Sequence, residues 1–179
     1  MKLDPAQTPA VANRSSAREI RILVDDPALD MTWSRFGPHE RGAEPHVHHE
    51  HVDGFYVLEG ELTFAVGPDG EQLRAGPGTA VLVPPGVVHA FDNASDGTSA
   101  WLNFHAPSTG FAAFLRGERD GFDSSDPPDD GGRPAADTLV AIEAARAELG
   151  GLVLEVAETP GDRYFTLDDG RVLTVLVDE

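Results

Sequence analysis

The chain has 179 residues, enough for one domain with a real hydrophobic core. Its net charge of −18 repels phosphate backbones and anionic bilayers, which argues against nucleic acid and membrane surfaces as partners. With no cysteine, disulfides and thiolate metal sites are excluded, and any metal must use imidazole and oxygen ligands. The N-terminal stretch MKLDPAQTPAVANRSSAR lacks the apolar run of a secretory signal, and no stretch of about 18 apolar residues occurs anywhere. The expectation is a cytoplasmic protein.

In chain order, residues 1–17 are rich in Pro, Ala and Ser and aperiodic, and read as a disordered tail. From residue 18 to 106 the chain reads almost entirely as short strands: EIRILV, MTWSRF, GFYVLEG, ELTFAV, EQLRA, TAVLV, VVHAF and AWLNFHA. The clusters DDPALD, GPDG, AGPGT, PPG and NASDG between them are turn signals. Strands this short and regular predict an all-β sandwich or small barrel rather than alternating βα units. After His105 the pattern changes. STGFAAFLRG predicts a short helix capped by Ser108, with Phe111, Phe114 and Leu115 on one face. That face is expected to extend the core, with a lid over one end of the barrel as the alternative. Residues 117–133 are acidic and rich in Gly and Pro, hence a loop. DTLVAIEAARAEL predicts a second helix stopped by Gly150, and the last residues return to strands around an Asp169-Gly170 hairpin turn. Residues 107–179 are thus expected as an extension packed on the β domain. Its terminal strands could add to an open sheet edge across a two-fold axis, so a homodimer is expected.

Four of the seven histidines fall between His46 and His51, against the start of a strand. On a strand, residues i and i+2 share a face about 6–7 Å apart, so His46 and His48 can converge on one ion. Asp53 lies at an odd offset from His48, and a bend within His48–Val52 is needed to bring its carboxylate to the same side. His89, in VPPGVVHAF, supplies a third imidazole. Such an N₃O set with open positions suits Fe, Mn, Ni, Co, Cu or Zn as one divalent ion. His49 and His51 would face away on a regular strand, and are expected to accompany the turn or act behind the ligands. His39 reads as a surface loop residue. For His105, pocket-lining and structural roles stay equally open. Phe55, Val57, Phe64, Val81, Val83, Phe91, Trp101 and Phe104 are candidates for core or pocket wall, and strand parity alone does not sort them. No cluster of Lys or Arg lies near for an anion, although Arg35, Arg41 and Arg74 are available singly.

Taken together, the two segments resemble the cupin superfamily. His46-Val47-His48, four residues, Asp53, six residues and Gly60 follow the first cupin motif, with Glu40 standing where its leading Gly would fall and Gly42 two positions on. Gly78, Pro84-Pro85-Gly86, His89 and Asn93 follow the second with every spacing kept, and seventeen residues separate Gly60 from Gly78. The resemblance covers residues 19–106 and implies a double-stranded β-helix, or jelly-roll, barrel with the metal inside it. It implies His46, His48 and His89 as ligands, with Asp53 in place of the family's Glu, either ligating or acting as a general base. Gly60 and Gly78 are expected at positive φ, and Asn93 as a structural hydrogen-bonding residue. The texture is similar to quercetin-dioxygenase-like cupins, which implies a metal-dependent oxidoreductase acting on a small apolar or aromatic molecule. The alternatives it leaves are non-redox isomerase, lyase or hydrolase chemistry, and ligand binding without turnover.

Overall fold

The computed structural model describes residues 4–12, 17–67 and 70–128, together with strands at 153–159, 162–167 and 172–176. The β grammar of the sequence folds as strands β2 (Arg18–Asp26), β3 (Leu29–Phe36), β4 (Val52–Glu59), β5 (Leu62–Val66), β6 (Glu71–Ala75), β7 (Ala80–Val83), β8 (His89–Asp92) and β9 (Ser99–Ala106). Side chains alternate between buried and half-buried along β3 and β5, as expected where one sheet face meets the core. They form a cupin-type double-stranded β-helix, almost wholly antiparallel. Strands β3, β9, β4 and β7 are consecutive in the larger sheet, and β6, β5 and β8 make the smaller one.

Between the sheets lies an apolar core of Phe36, Phe55, Val57, Leu62, Phe64, Val66, Val81, Val83 and Trp101. Its rings meet edge to face, Phe36 on Trp101 at 4.7 Å and Phe55 on Phe64 at 4.9 Å between centroids, an arrangement that adds to their area burial. Six of the eight candidates for core or pocket wall are therefore core. Phe104 instead lies over Gly54 on the neighbouring strand, where a methyl would overlap its ring.

Within the segment expected as a tail, Pro5–Gln7 make a 3-10 turn capped by Asp4, and β1 (Ala10–Ala12) pairs with β2. A free edge on β2 offers unpaired amides, and three residues suffice to cover part of it. Helix α1 (Phe111–Leu115) falls where expected, but Ser108 is not its cap. Gly110 holds the cap position at φ 94°, and the buried Asp30 of β3 accepts hydrogen bonds from both Phe111 N (3.1 Å) and Ser108 Oγ (2.7 Å). The cap is therefore a tertiary contact. The second expected helix and the Asp169-Gly170 turn lie outside the described residues. The strands flanking that turn, β11 (Asp162–Leu167) and β12 (Val172–Leu176), do pair antiparallel, with β10 (Val153–Thr159) beyond β11. β12 pairs in parallel with β7, so the terminal strands cover that edge within the chain.

Both glycines expected at positive φ have it, Gly60 at 72° and Gly78 at 85°. A methyl on Gly60 would also overlap the Thr98 carbonyl oxygen and Ser99. Gly60→Ala should cost about 2–3 kcal/mol, read as a thermal midpoint lowered by roughly 4–12 °C. An unchanged midpoint would show that this turn is free to relax.

Candidate metal centre

His46, His48 and Val47 lie just before β4, and His89 opens β8 of the other sheet. The two motifs are joined through their backbones. His46 N donates to His89 O and His89 N to His46 O, each at 2.9 Å, while Gly86 N donates to His48 O at 2.7 Å. Pro84 and Pro85 stiffen the approach to that turn, and Gly86 takes φ 88° within it. His89 is thus fixed opposite His46 before any side-chain contact forms.

The side chains converge. His46 Nε2 lies 3.2 Å from His48 Nε2. Asp53 Oδ2 lies 3.5 Å from His48 Nε2 and 3.2 Å from His89 Nε2. The odd offset of Asp53 is resolved as anticipated, because residues 49–51 bend before β4 begins and reset the side-chain alternation. Each of the three imidazoles has its other nitrogen held by a backbone carbonyl: His46 Nδ1 by Glu44 O (2.8 Å), His48 Nδ1 by Asp123 O (2.5 Å) and His89 Nδ1 by Val87 O (3.1 Å). A carbonyl only accepts, so Nδ1 carries the proton and Nε2 presents its lone pair inward. This is the arrangement that orients histidine ligands around metals.

Asp53 is the one carboxylate among these rings, and it is buried. Burial alone would raise its pKa. His105 beside it, with the rings of His48 and His89, outweighs that and holds it below the ordinary carboxylate range. Its second oxygen, Oδ1, accepts from Asn103 Nδ2 at 2.6 Å and lies 3.3 Å from His105 Nε2. Burial, with His89 and His48 alongside, lowers His46 to about 4. Three neutral imidazoles and one ionised carboxylate fit a divalent transition ion.

The remaining histidines divide. His39 is exposed and meets Asp96 at 3.0 Å. His49 is exposed and meets Ser125 Oγ at 2.9 Å. His51, expected to face away, is completely buried, because the same bend that returns Asp53 also turns His51 inward. Burial and the neighbouring His48 and His105 lower it to about 4. His105 is buried, with Nε2 3.3 Å from Asp53 Oδ1, and it does not line the cavity described below. Asn93 does what was expected of it, donating to Gly37 O (2.7 Å) and Gly97 O (2.8 Å).

Sequence reasoning missed Asp123. Its carboxylate accepts from the amides of His49 (2.9 Å) and Glu50 (2.6 Å) and from His51 Nδ1 (3.0 Å), and its carbonyl holds His48. It lies in a stretch crowded with other acidic residues, and nothing in the sequence distinguishes it. Phe122 beside it was missed too. Phe111, Phe114, Leu115 and Phe122, with Phe36 and Phe91 from the barrel, line a cavity of about 610 Å³ that reaches His46. Its aromatic wall is therefore largely a product of the C-terminal segment, and the lid alternative for α1 describes it better than core extension. Arg18 also borders the cavity, with its guanidinium 4.4 Å above the Phe36 ring. Arg35, Arg41 and Arg74 are instead near Glu19, Glu44 and Glu61.

Residues 32–105 match the family model described as a cupin domain. KdgF from Halomonas sp. superposes with a TM-score of 0.54 at 20% identity, covering 63% of this chain and 99% of that one. The polyketide cyclase RemF from Streptomyces resistomycificus gives 0.53 at 21% identity, covering 73% of this chain and 89% of that one. At such identities the likeness speaks for the fold alone. No curated protein matches the sequence significantly. Both motifs, the barrel and the family match together support a cupin assignment for residues 32–105. Among the described residues no helix is long and apolar enough to cross a membrane.

Two measurements check this geometry. Asp123→Ala should weaken divalent-metal affinity by about 10–100-fold, as removal of ligand-orienting partners does, in a competition titration against a chromophoric chelator; unchanged affinity would show that the loop does not organise the ligands. Second, His46 and His51 fold with pKa values of about 4 against an ordinary 6.5. Between those values the unfolded chain binds more protons than the folded one, so stability of the metal-free protein is level above about pH 6.5 and falls as pH drops toward 4. Urea unfolding at stepped pH should show that slope, and His51→Gln should flatten it. An equally steep slope in the variant would mean His51 is not buried as the neutral ring.

Proposed function

We propose that this cupin is a metal-dependent enzyme, dioxygenase-like, that holds one divalent transition ion through His46, His48, Asp53 and His89 and takes a flat, apolar or aromatic small molecule in the adjoining cavity. The reading rests on one observation: three inward Nε2 atoms and one carboxylate oxygen, all within 4.8 Å of one another, stand beside a cavity whose wall includes five phenylalanine rings. The donor set suits Fe, Mn, Ni, Co, Cu or Zn and disfavours Mg and Ca, which want oxygen.

An ion bound there would supply Lewis-acid polarisation of a chelating substrate oxygen and, if redox-active, a route for electrons. The chain's own residues do the rest. Phe111, Phe114 and Phe122 exclude water and favour a planar ring system by stacking and edge contacts. His46, partly exposed at the cavity, is the ligand nearest to an incoming molecule. Asp53 serves as a ligand rather than as a general base, because its Oδ2 stands buried among the histidine rings, 3.2 Å from His89 Nε2 and 3.5 Å from His48 Nε2. Asn103 and His105 keep its second oxygen in place.

The test begins with elemental analysis of protein purified without a histidine tag or chelator, beside a His46→Ala/His48→Ala variant. Near-stoichiometric metal in the parent and at least a tenfold loss in the variant are expected. Oxygen uptake with a flat ortho-hydroxycarbonyl aromatic should then require the bound Fe, Mn, Ni, Co or Cu. Zinc as the sole metal, with no oxygen uptake, would replace the oxygenase reading by non-redox Lewis-acid chemistry. No metal even after reconstitution would remove the enzyme reading itself.

A further inference from the structure

Beside the first cluster lies a second group of buried imidazoles, His48, His51 and His105, with one ring nitrogen from each within 4.8 Å of the others. Their hydrogen bonds follow a pattern. Asp123 accepts from His51 Nδ1, at 3.0 Å with the Thr109 hydroxyl also near (3.1 Å), which leaves His51 Nε2 with the lone pair. That atom is buried and has no hydrogen-bond partner. His105 gives Nε2 to Asp53 Oδ1 at 3.3 Å, and its Nδ1 is likewise buried and unpartnered. His48 Nδ1 is held by the Asp123 carbonyl, so its lone pair is also on the inner nitrogen. Burying a ring nitrogen without a partner is costly. Two such atoms in adjacent rings, each backed by a carboxylate on the opposite nitrogen, form the carboxylate–histidine pattern found behind metal ligands.

The geometry points to a second divalent-cation berth formed by His48, His51 and His105, separate from the His46/His48/Asp53/His89 set but sharing His48 with it. Its donors are three neutral imidazoles with no oxygen ligand, which selects zinc or copper over harder ions. Nitrogens around zinc stand about 3.3 Å apart in a tetrahedral site, so a modest closing of the rings completes it. The inner nitrogen of His48 has one lone pair, and it already faces His46 at 3.2 Å. The two berths are therefore mutually exclusive: one ion occupies either, and the chain holds one ion in total. Phe111 lies 4.4 Å from His105, and Phe122 lies 5.8 Å from His48, between ring centroids. Both rings border the cavity, so an ion in the second berth is screened from substrate, whereas the first berth opens on the cavity through His46.

This inference does not depend on the reaction proposed above, and its test reads metal alone. Zinc is quantified after equilibration and gel filtration in wild type, His46→Ala/His89→Ala and His46→Ala/His89→Ala/His51→Ala, with circular dichroism confirming that each is folded. About one zinc per chain is expected in the wild type and in the double variant, and less than a tenth of that in the triple variant. A double variant without zinc, or zinc in it that survives loss of His51, would overturn the second berth. The first centre is judged separately by the wild type against His46→Ala/His48→Ala. If the double variant does not fold, crystals of His46→Ala soaked in zinc replace it. An anomalous peak among His48, His51 and His105 is expected there, and a peak confined to His48, Asp53 and His89 overturns the proposal.

Discussion

The reciprocal backbone hydrogen bonds between His46 and His89 are the constraint on which the site depends. They tie the loop before β4, in the larger sheet, to the first residue of β8, in the smaller one. Amides buried in a barrel must find partners, and here the partners are the histidines of the candidate centre themselves. Side-chain convergence then follows from backbone pairing. The Pro84-Pro85-Gly86 turn adds the bond from Gly86 N to His48 O, which extends the same zipper to the second ligand.

Around that frame the electrostatics rest on one carboxylate. A buried charge is tolerable only if it is paired and hydrogen-bonded. Asp53 meets His48 and His89 through one oxygen, and Asn103 and His105 through the other. His46 and His51 are instead driven toward the neutral form by burial, and that form is the one that binds metal.

The segment after β9 changes what the barrel can do. Asp30 caps α1 from β3 and so sets Phe111 against His105. The chain then returns as Phe122, Asp123 and Ser125, and Ser125 pairs with Val47 between the two first-motif ligands. One loop therefore supplies both the aromatic wall of the cavity and the carboxylate that holds the histidine bend. Packing of the wall and orientation of the ligands are coupled, so a substitution in either reaches the other.

Much of the fold was legible because strand alternation and turn chemistry are local. The eight strands from β2 to β9, α1, and the positive φ of Gly60 and Gly78 all follow from residues within a few positions of one another. So does the pairing of His46 with His48, since spacing by two is a property of any extended segment. What the sequence could not decide was direction after a bend. The parity argument placed His51 outward because it assumed an unbroken strand, and the bend at residues 49–51 reversed it. Nor could it single out Asp123, one acid among many in a Gly- and Pro-rich loop, or Asp30, which caps a helix some eighty positions away. Those roles exist only after loop closure brings distant segments together. Local pattern determined the strands and the candidate ligands; tertiary contact alone decided which buried nitrogens face one another and which aromatic rings stand over them.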